Sequence, residues 1–576
     1  MPMRDSCHLN EKSGAVAGLL WVALLYFPWG KVLHTGIAVP EHLGWGLFGV
    51  GFLFMALRFP AAVYRSWLLI AGGVLLTLPL LWLSAGADVW LAITRVAALW
   101  GGGLLLCWLG GQDVTRSGAY TLARLVTLTG LVLALSVLFR LAAPTLFALW
   151  LPQAGGGWAT GGYLQPDLIA LWLAVSVVAT LHLWLFRPGV WLALALGVLV
   201  VSLTLSLRLS ALACLAAVCL LMLLAAARGL RRRLLGGVLL LLLAGAGTWL
   251  VMTRALHQEM SFAWPTGWAA LPQMWRACLA LLLSHPIAGM GYGQFAGSLP
   301  DGMQLAGLGA QWHPRFMVFH PGSEPLYWIT EGGVLALVGM LLLLAWGVRL
   351  MALLWRQSRR VGGYGHAGSE GQGLLFAALP LLLVTLTAGT PWYQSPLHYL
   401  LFLVLTGAAL AWLSEPKATW SPPRPLVLLS RGLLPVAGVA VLWFALTGTR
   451  VALALQAAHQ SNAKDVTALV AAQRMNPLYM PDDVHFALTV HQLQQFSQTG
   501  DKALLAQTEP FFNDFLTRHP DPNIYSMYIT VLDKQGKSEA AERVYEDGQR
   551  RVPWDRRFAP DTPADEPSPS TSSQHP

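Results

Sequence analysis

The chain has 576 residues, 55% hydrophobic and only 11% charged, with a formal net charge of +9. Soluble globular chains carry about 25% charged residues, so composition excludes an ordinary soluble domain and points to an integral membrane protein. The Lys and Arg residues are scattered between apolar runs, where they set topology, and do not form the basic patch of a nucleic-acid binder.

Repeated apolar runs of roughly 17–22 residues match the helix length that spans a bilayer core. About thirteen membrane helices are predicted: 14–33, 42–58, 67–85, 89–109, 121–141, 168–186, 189–207, 209–228, 234–253, 325–354, 373–390, 397–413 and 432–450. The first run lacks a small-x-small cleavage site and reads as a membrane helix, not a signal peptide. The densest basic cluster, Arg228 with Arg231, Arg232 and Arg233, marks a cytoplasmic connection. Arg356, Arg359 and Arg360 mark a second, and Lys417, Arg424 and Arg431 a third. Arg58 with Arg65, and Arg116 with Arg124, mark two more. Alternation through thirteen helices puts all five, and the N-terminal Arg4 and Lys12, on one side. The connections 142–167, 254–324 and 391–396 then face the other side, as does everything after about Arg450.

The predicted fold class is therefore all-α: a polytopic membrane helix bundle with a large periplasmic loop and a small C-terminal helical domain. The expected domains are an N-terminal transmembrane bundle (1–253), a periplasmic catalytic loop (254–324), C-terminal transmembrane helices (325–450), a periplasmic helical domain (451–558) and a disordered tail (559–576). Segments 483–497, 501–518, 523–535 and 538–551 have helical periodicity. The last two turn at Gly536 and resemble one tetratricopeptide hairpin. The tail is rich in Pro, Ser and Thr. Of the five cysteines, Cys7 lies near the terminus and Cys107, Cys214, Cys219 and Cys278 lie in or beside apolar runs. No disulfide framework is indicated. No Asp, Glu or His cluster has metal-ligand spacing, so neither metal nor cofactor is expected.

Polar groups of chemical interest gather in the segments predicted to be external. Residues 284–334 hold SHPIAGMGYGQF, WHPRFMVFHPGSEPLYW and ITEGGV. Gly289, Gly291 and Gly293 read as a helix stop and turn, or as a nest of amides for a phosphate. His320, before a Pro-Gly turn, is a candidate general base or a hydrogen-bonding loop residue. Glu324 suits a helix first turn. Glu331, about two turns further on in an apolar run, should face a cavity or a partner and not lipid. In GGYLQPDLIALWL, Gln165 and Asp167 flank Pro166; in TPWYQSPLHYLLF, Tyr393, Gln394, Ser395, His398 and Tyr399 cluster at another turn. Arg208, Arg140, Arg254, Arg276 and Arg315 are external or nearly so. They suit an anionic headgroup, with diphosphate the sharpest fit, or snorkel individually.

These residues carry a resemblance. Pro286-x-x-Gly289-x-Gly291-x-x-x-Phe295, followed by His320 and a helix with Glu331-Gly332, resembles the O-antigen ligase/polymerase (Wzy/WaaL-like) superfamily. GGYLQPD is similar to the G-x-x-x-Q-x-N element of PglL-type bacterial protein O-oligosaccharyltransferases, and SPLHYLLFL to their E-Y-P-L-x-Y-x-x-F-L element. The resemblance implies that Gln165 is the functional glutamine and that Tyr393 or Tyr399 is the functional tyrosine. It implies that His320 is the first His of H-x-H-N, and that Arg208 contacts a lipid-linked diphosphate, aided by Arg276 or Arg254. Here Gly322 and Ser323 replace the second His and the Asn, Asp167 replaces the Asn of the glutamine element, and Gln394-Ser395 replaces Glu-Tyr. These departures leave Glu324 and His313 as alternatives to His320 for the base.

The implied activity is transfer of a preassembled glycan from undecaprenyl diphosphate to Ser or Thr of an exported protein such as a pilin. It would proceed on the periplasmic face of the bacterial inner membrane, by direct displacement with inversion and without a metal. The implied partners are the lipid-linked oligosaccharide donor, the exported acceptor and membrane lipids. An O-antigen ligase or polysaccharide polymerase would share the donor. A transporter or flippase would instead show charges at mid-bilayer and internal repeats, and the sequence shows few of the first and none of the second.

Overall fold

A computed structural model describes residues 39–57, 63–83, 87–112, 116–146, 166–255, 271–308, 320–360, 364, 369–387, 396–413 and 419–559. The predicted first membrane run, Gln165, His313, Arg315, Tyr393 and residues 560–576 lie outside them. The described residues are almost wholly helical. The exception is one short antiparallel ladder, Val63–Tyr64 (β1) with Thr419–Trp420 (β2), which ties two connections together.

The apolar helices follow the predicted runs. They are α1 (Val39–Leu57), α2 (Trp67–Thr77, continued by a 3-10 turn through Trp82), α3 (Val89–Gly110), α4 (Arg116–Ala142), α5 (Pro166–Phe186), α6 (Val190–Leu205), α7 (Leu209–Ala225) and α8 (Arg228–Leu250). A π turn, Val251–Ala255, follows α8. Two helices, α9 (Leu271–Ser284) and α10 (Phe295–Leu305), occupy the large predicted loop. The bundle resumes with α11 (Glu324–Arg360), α12 (Glu370–Thr387), α13 (Pro396–Ala411) and α14 (Arg424–Gln460). Six described helices are long and apolar enough to cross a membrane, and six shorter apolar helices accompany them. Together these match the predicted runs after the first.

Helix α5 is the hub. It is apolar all round, and Ile169 through Leu185 are almost completely buried. Such a sequence belongs at the centre of a bundle, and α4, α6, α7, α8 and α12 pack around it. On the other side of the bundle, α14 lies along α1 and α11 along α2. Glycines set how close these pairs come. A methyl group on Gly49 would stand 2.7 Å from the Gly438 carbonyl oxygen, and one on Gly72 would stand 3.0 Å from that of Gly339. Lipid supplies no hydrophobic drive for helix association, so close backbone packing of small residues supports the crossing instead.

Helix α14 continues unbroken from its apolar stretch through position 450 to Gln460. The domain boundary read from composition therefore falls inside a helix. Five further helices follow: α15 (Thr467–Met475), α16 (Pro481–Thr499), α17 (Lys502–Arg518), α18 (Pro522–Gln535) and α19 (Ser538–Arg551). Gly536, at φ 81°, closes α18 in the left-handed conformation that a helix C-terminus favours, and α18 packs on α19 as expected. Phe512, Tyr525, Tyr528 and Leu532 fill the core of this domain. The domain rests on α10: Arg551 donates to the carbonyl of Gly297 at 2.8 Å, Gln304 donates to the Arg550 carbonyl, and Trp554 packs on the cluster beneath α9 and α10.

Candidate active site

Helix α11 is broken near its start, and the break organises the site. Gly333 has φ 63° and ψ −153° inside the helix. A side chain there would press within 2.4 Å of the Ile287 carbonyl oxygen. The glycine-rich segment after α9 docks against this break backbone to backbone. Met290 N donates to the Thr330 carbonyl (3.2 Å), Gly291 N to that of Glu331 (2.9 Å), and Val334 N to that of Pro286 (2.8 Å). Of the amides considered above for a phosphate nest, that of Gly291 is thus spent on the helix, and that of Gly289 on the His285 carbonyl at 2.9 Å. The segment is a docking strap, because the freed carbonyls of a broken helix need donors.

Glu331, fully buried, is held by three donors. Its Oε2 pairs with the Arg95 guanidinium from α3. Its Oε1 accepts the backbone amides of Gln294 (3.0 Å) and Phe295 (2.9 Å) at the start of α10. A carboxylate between a guanidinium and a helix N-terminus is held by charge on both sides. The expectation that Glu331 meets a partner is met, and the partner is Arg95, which sequence reading passed over. Arg95 is 2% exposed and lies 3.8 Å from the ring centroid of Tyr327 and 4.1 Å from that of Trp328. Its Nε and Nη2 have no hydrogen-bond partner among the described residues, so the aromatic faces supply the remaining contact with the cation. The clue was available: a lone Arg in the apolar run of α3 is expensive unless paired.

Seven to eleven residues before Glu331 lies a second, different arrangement. His320 Nε2 is 3.1 Å from Glu324 Oε2. The Gly322 amide donates to His320 Nδ1 at 3.0 Å. A backbone N–H is always a donor, so Nδ1 carries no proton and the ring N–H is Nε2–H, aimed at Glu324. The other carboxylate oxygen of Glu324 accepts from Trp328 Nε1 at 2.9 Å, and Tyr327 packs edge-on against the His320 ring. Gly322 takes a positive φ of 78° there, so this glycine, standing where the resembled family has a histidine, presents its own amide to His320. A carboxylate has about four acceptor positions, so Glu324 retains capacity beyond these two bonds.

The other sequence candidates fall as follows. Tyr399 is buried against α3, with its hydroxyl donating to the Ala98 carbonyl at 3.2 Å, and it is within electrostatic reach of Glu324. His398 packs edge-on against Trp172 of α5. Arg208 is half-buried at the joint of α6 and α7, directly after Leu207, which holds a left-handed φ of 56°. Those helices pack with α5, α8 and α12. Arg254 and Arg276 are exposed. The structure thus brings His320, Glu324, Glu331, Arg95 and the neighbouring aromatics into one cluster and leaves Arg208, Arg254 and Arg276 on other elements. No group of three or more His, Cys, Asp or Glu among the described residues could hold a metal ion.

Residues 395–557 match the family described as virulence factor membrane-bound polymerase, C-terminal. The match takes in α13, α14 and the helical domain through α19, and so crosses position 450 as α14 itself does. No curated protein matches the chain. The family match, on a chain of many membrane-length helices, supports a membrane-bound enzyme of the polymerase/ligase superfamily that acts in glycan transfer.

Proposed function

We propose that the chain transfers a preassembled glycan from a polyprenyl diphosphate to a hydroxyl of an exported, pilin-like protein at the external membrane surface. The observation that carries this reading is the His320–Glu324 pair at the start of α11, held by Trp328 and by the Gly322 amide. An alcohol is a weak nucleophile until a base in hydrogen-bond reach takes its proton. The acceptor oxygen attacks the anomeric carbon as the bond from that carbon to the phosphate oxygen breaks. The polyprenyl diphosphate leaves with the electron pair, and the hydroxyl proton passes to the His320–Glu324 dyad.

His320 receives that proton on Nδ1 once the Gly322 amide is displaced, and Glu324 steadies the resulting imidazolium through Nε2. Tyr399, with Gln165 and Tyr393 outside the described residues, orients donor or acceptor. Arg208, with Arg254 or Arg276, offsets charge on the leaving diphosphate. The word polymerase in the matched family's description favours a second reading, in which the acceptor hydroxyl belongs to another glycan.

Intact masses of exported pilins from cells with and without this chain test the proposal. The expected result is loss of a discrete glycan mass without it. Unchanged pilins together with lost surface polysaccharide would overturn the protein-acceptor reading in favour of the second.

A further inference from the structure

The helix α9 has two apolar faces, and among the described residues only one of them is covered. Met274, Ala277, Cys278 and Leu281 are buried on the side facing α10 and α11. On the opposite side Trp275, Leu279, Leu283 and, just past the helix, Ile287 are 54% to 71% exposed. Positions 275, 279 and 283 recur every four residues and form one stripe. Arg276 is exposed next to Trp275. The helix has 14 residues, a length of about 21 Å, too short to cross a core of about 30 Å.

The stripe is continuous with the outer face of α11. The strap hydrogen bond from Val334 N to the Pro286 carbonyl sets Ile287 beside Val334. From there the exposed side chains of Val334, Val338, Leu341 and Leu344 run on along a helix long and apolar enough to cross a membrane. Val334 lies 22 residues before Arg356, about 33 Å of helix against a core of about 30 Å, and the exposed Arg349 between them is close enough to the Arg356 end to snorkel there. Val334 is therefore near the opposite edge of that core, and the end of α9 is at the same level. A short helix at this depth, with an aliphatic stripe, a Trp and an Arg on its open side, has the composition of an interfacial membrane helix.

We infer that α9 seats its Trp275–Leu279–Leu283–Ile287 stripe in the lipid leaflet at this end of the bundle, with Arg276 at the level of the phosphate headgroups. The occupant of the open face is the bilayer surface. Its other face packs against Tyr327 and the start of α11, so one helix width, about 10 Å, separates the leaflet edge from the His320–Glu324 pair. A substrate whose lipid tail stays in the membrane would have that distance to cover with its headgroup.

Nitroxide labels at Leu279→Cys, Leu283→Cys and Ile287→Cys, with Asp301→Cys on α10 as the exposed polar control, test this in the full chain. The protein is reconstituted in vesicles of phosphatidylethanolamine and phosphatidylglycerol, and the signal of the equally treated parent is subtracted. The three stripe labels are expected to collide with dissolved oxygen in preference to a water-soluble nickel chelate, and the Asp301 label to show the reverse. Nickel accessibility at the stripe equal to that at Asp301 would overturn the inference, and so would stripe labels reached by neither collider, which would mean that protein covers the face. The readout needs no glycan transfer, so its failure is distinct from failure of the proposed function.

Discussion

Two carboxylates on the same helix, seven residues apart, have opposite surroundings. Glu331 has no exposure, and a guanidinium and two helix-start amides take three of its roughly four acceptor positions. Glu324 is 13% exposed and takes one indole N–H and one imidazole N–H, with acceptor positions to spare. The first holds α3, α10 and α11 together; the second keeps acceptor capacity beside His320. The contrast shows that proximity to a candidate site does not assign a role, whereas the balance of donors and acceptors does.

The contrast breaks most visibly at the buried pair. Arg95→Ala or Glu331→Ala leaves one uncompensated buried charge, and such a loss costs about 3–5 kcal/mol. Thermal unfolding in detergent should drop sharply for either variant. The double variant Arg95→Met/Glu331→Leu should recover much of that loss, because it removes both charges and keeps volume. Additive losses in the double variant would mean that the two residues act independently.

A smaller effect is expected at the break in α11. Gly333→Ala forces a left-handed backbone on an L-residue and sets its methyl against the Ile287 carbonyl, a cost of about 1–3 kcal/mol. Unfolding and transfer rate should both fall, since the strap carries α9. A fully stable, fully active Gly333→Ala would separate the strap from the site.

The smallest effect at neutral pH concerns the attachment of the C-terminal domain. His42, in α1, shares a 2.7 Å hydrogen bond between its Nε2 and the Tyr479 hydroxyl. His42→Phe keeps a ring but removes that bond, and stability in detergent should fall by about 0.5–1.5 kcal/mol; unchanged stability would remove the bond as an anchor of the domain.

Much of the frame was legible because membrane helices announce themselves by length and apolarity, and the described helices follow the predicted runs. Glu331 was legible as needing a partner for the same reason: a carboxylate in an apolar run is not left in lipid. Arg95 was legible only as a cation in an apolar run that needs a partner, because the ion pair closes over 236 residues and no local pattern in α3 encodes which partner it is. The glycine segment was legible as a turn, but its destination was not. The break at Gly333, and not the spacing of Gly289, Gly291 and Gly293, decides where its amides go. At position 450 composition changes while α14 continues as helix to Gln460, and its later turns pack on α15 and α16.

The most direct measurement is glycan transfer from a purified polyprenyl-diphosphate donor by Glu324→Gln, compared with wild type at matched thermal stability. The amide keeps the shape and the Trp328 contact but removes the charge that steadies His320. The account predicts a folded protein whose transfer rate falls about 10²–10⁴-fold. Wild-type transfer by folded Glu324→Gln would contradict it.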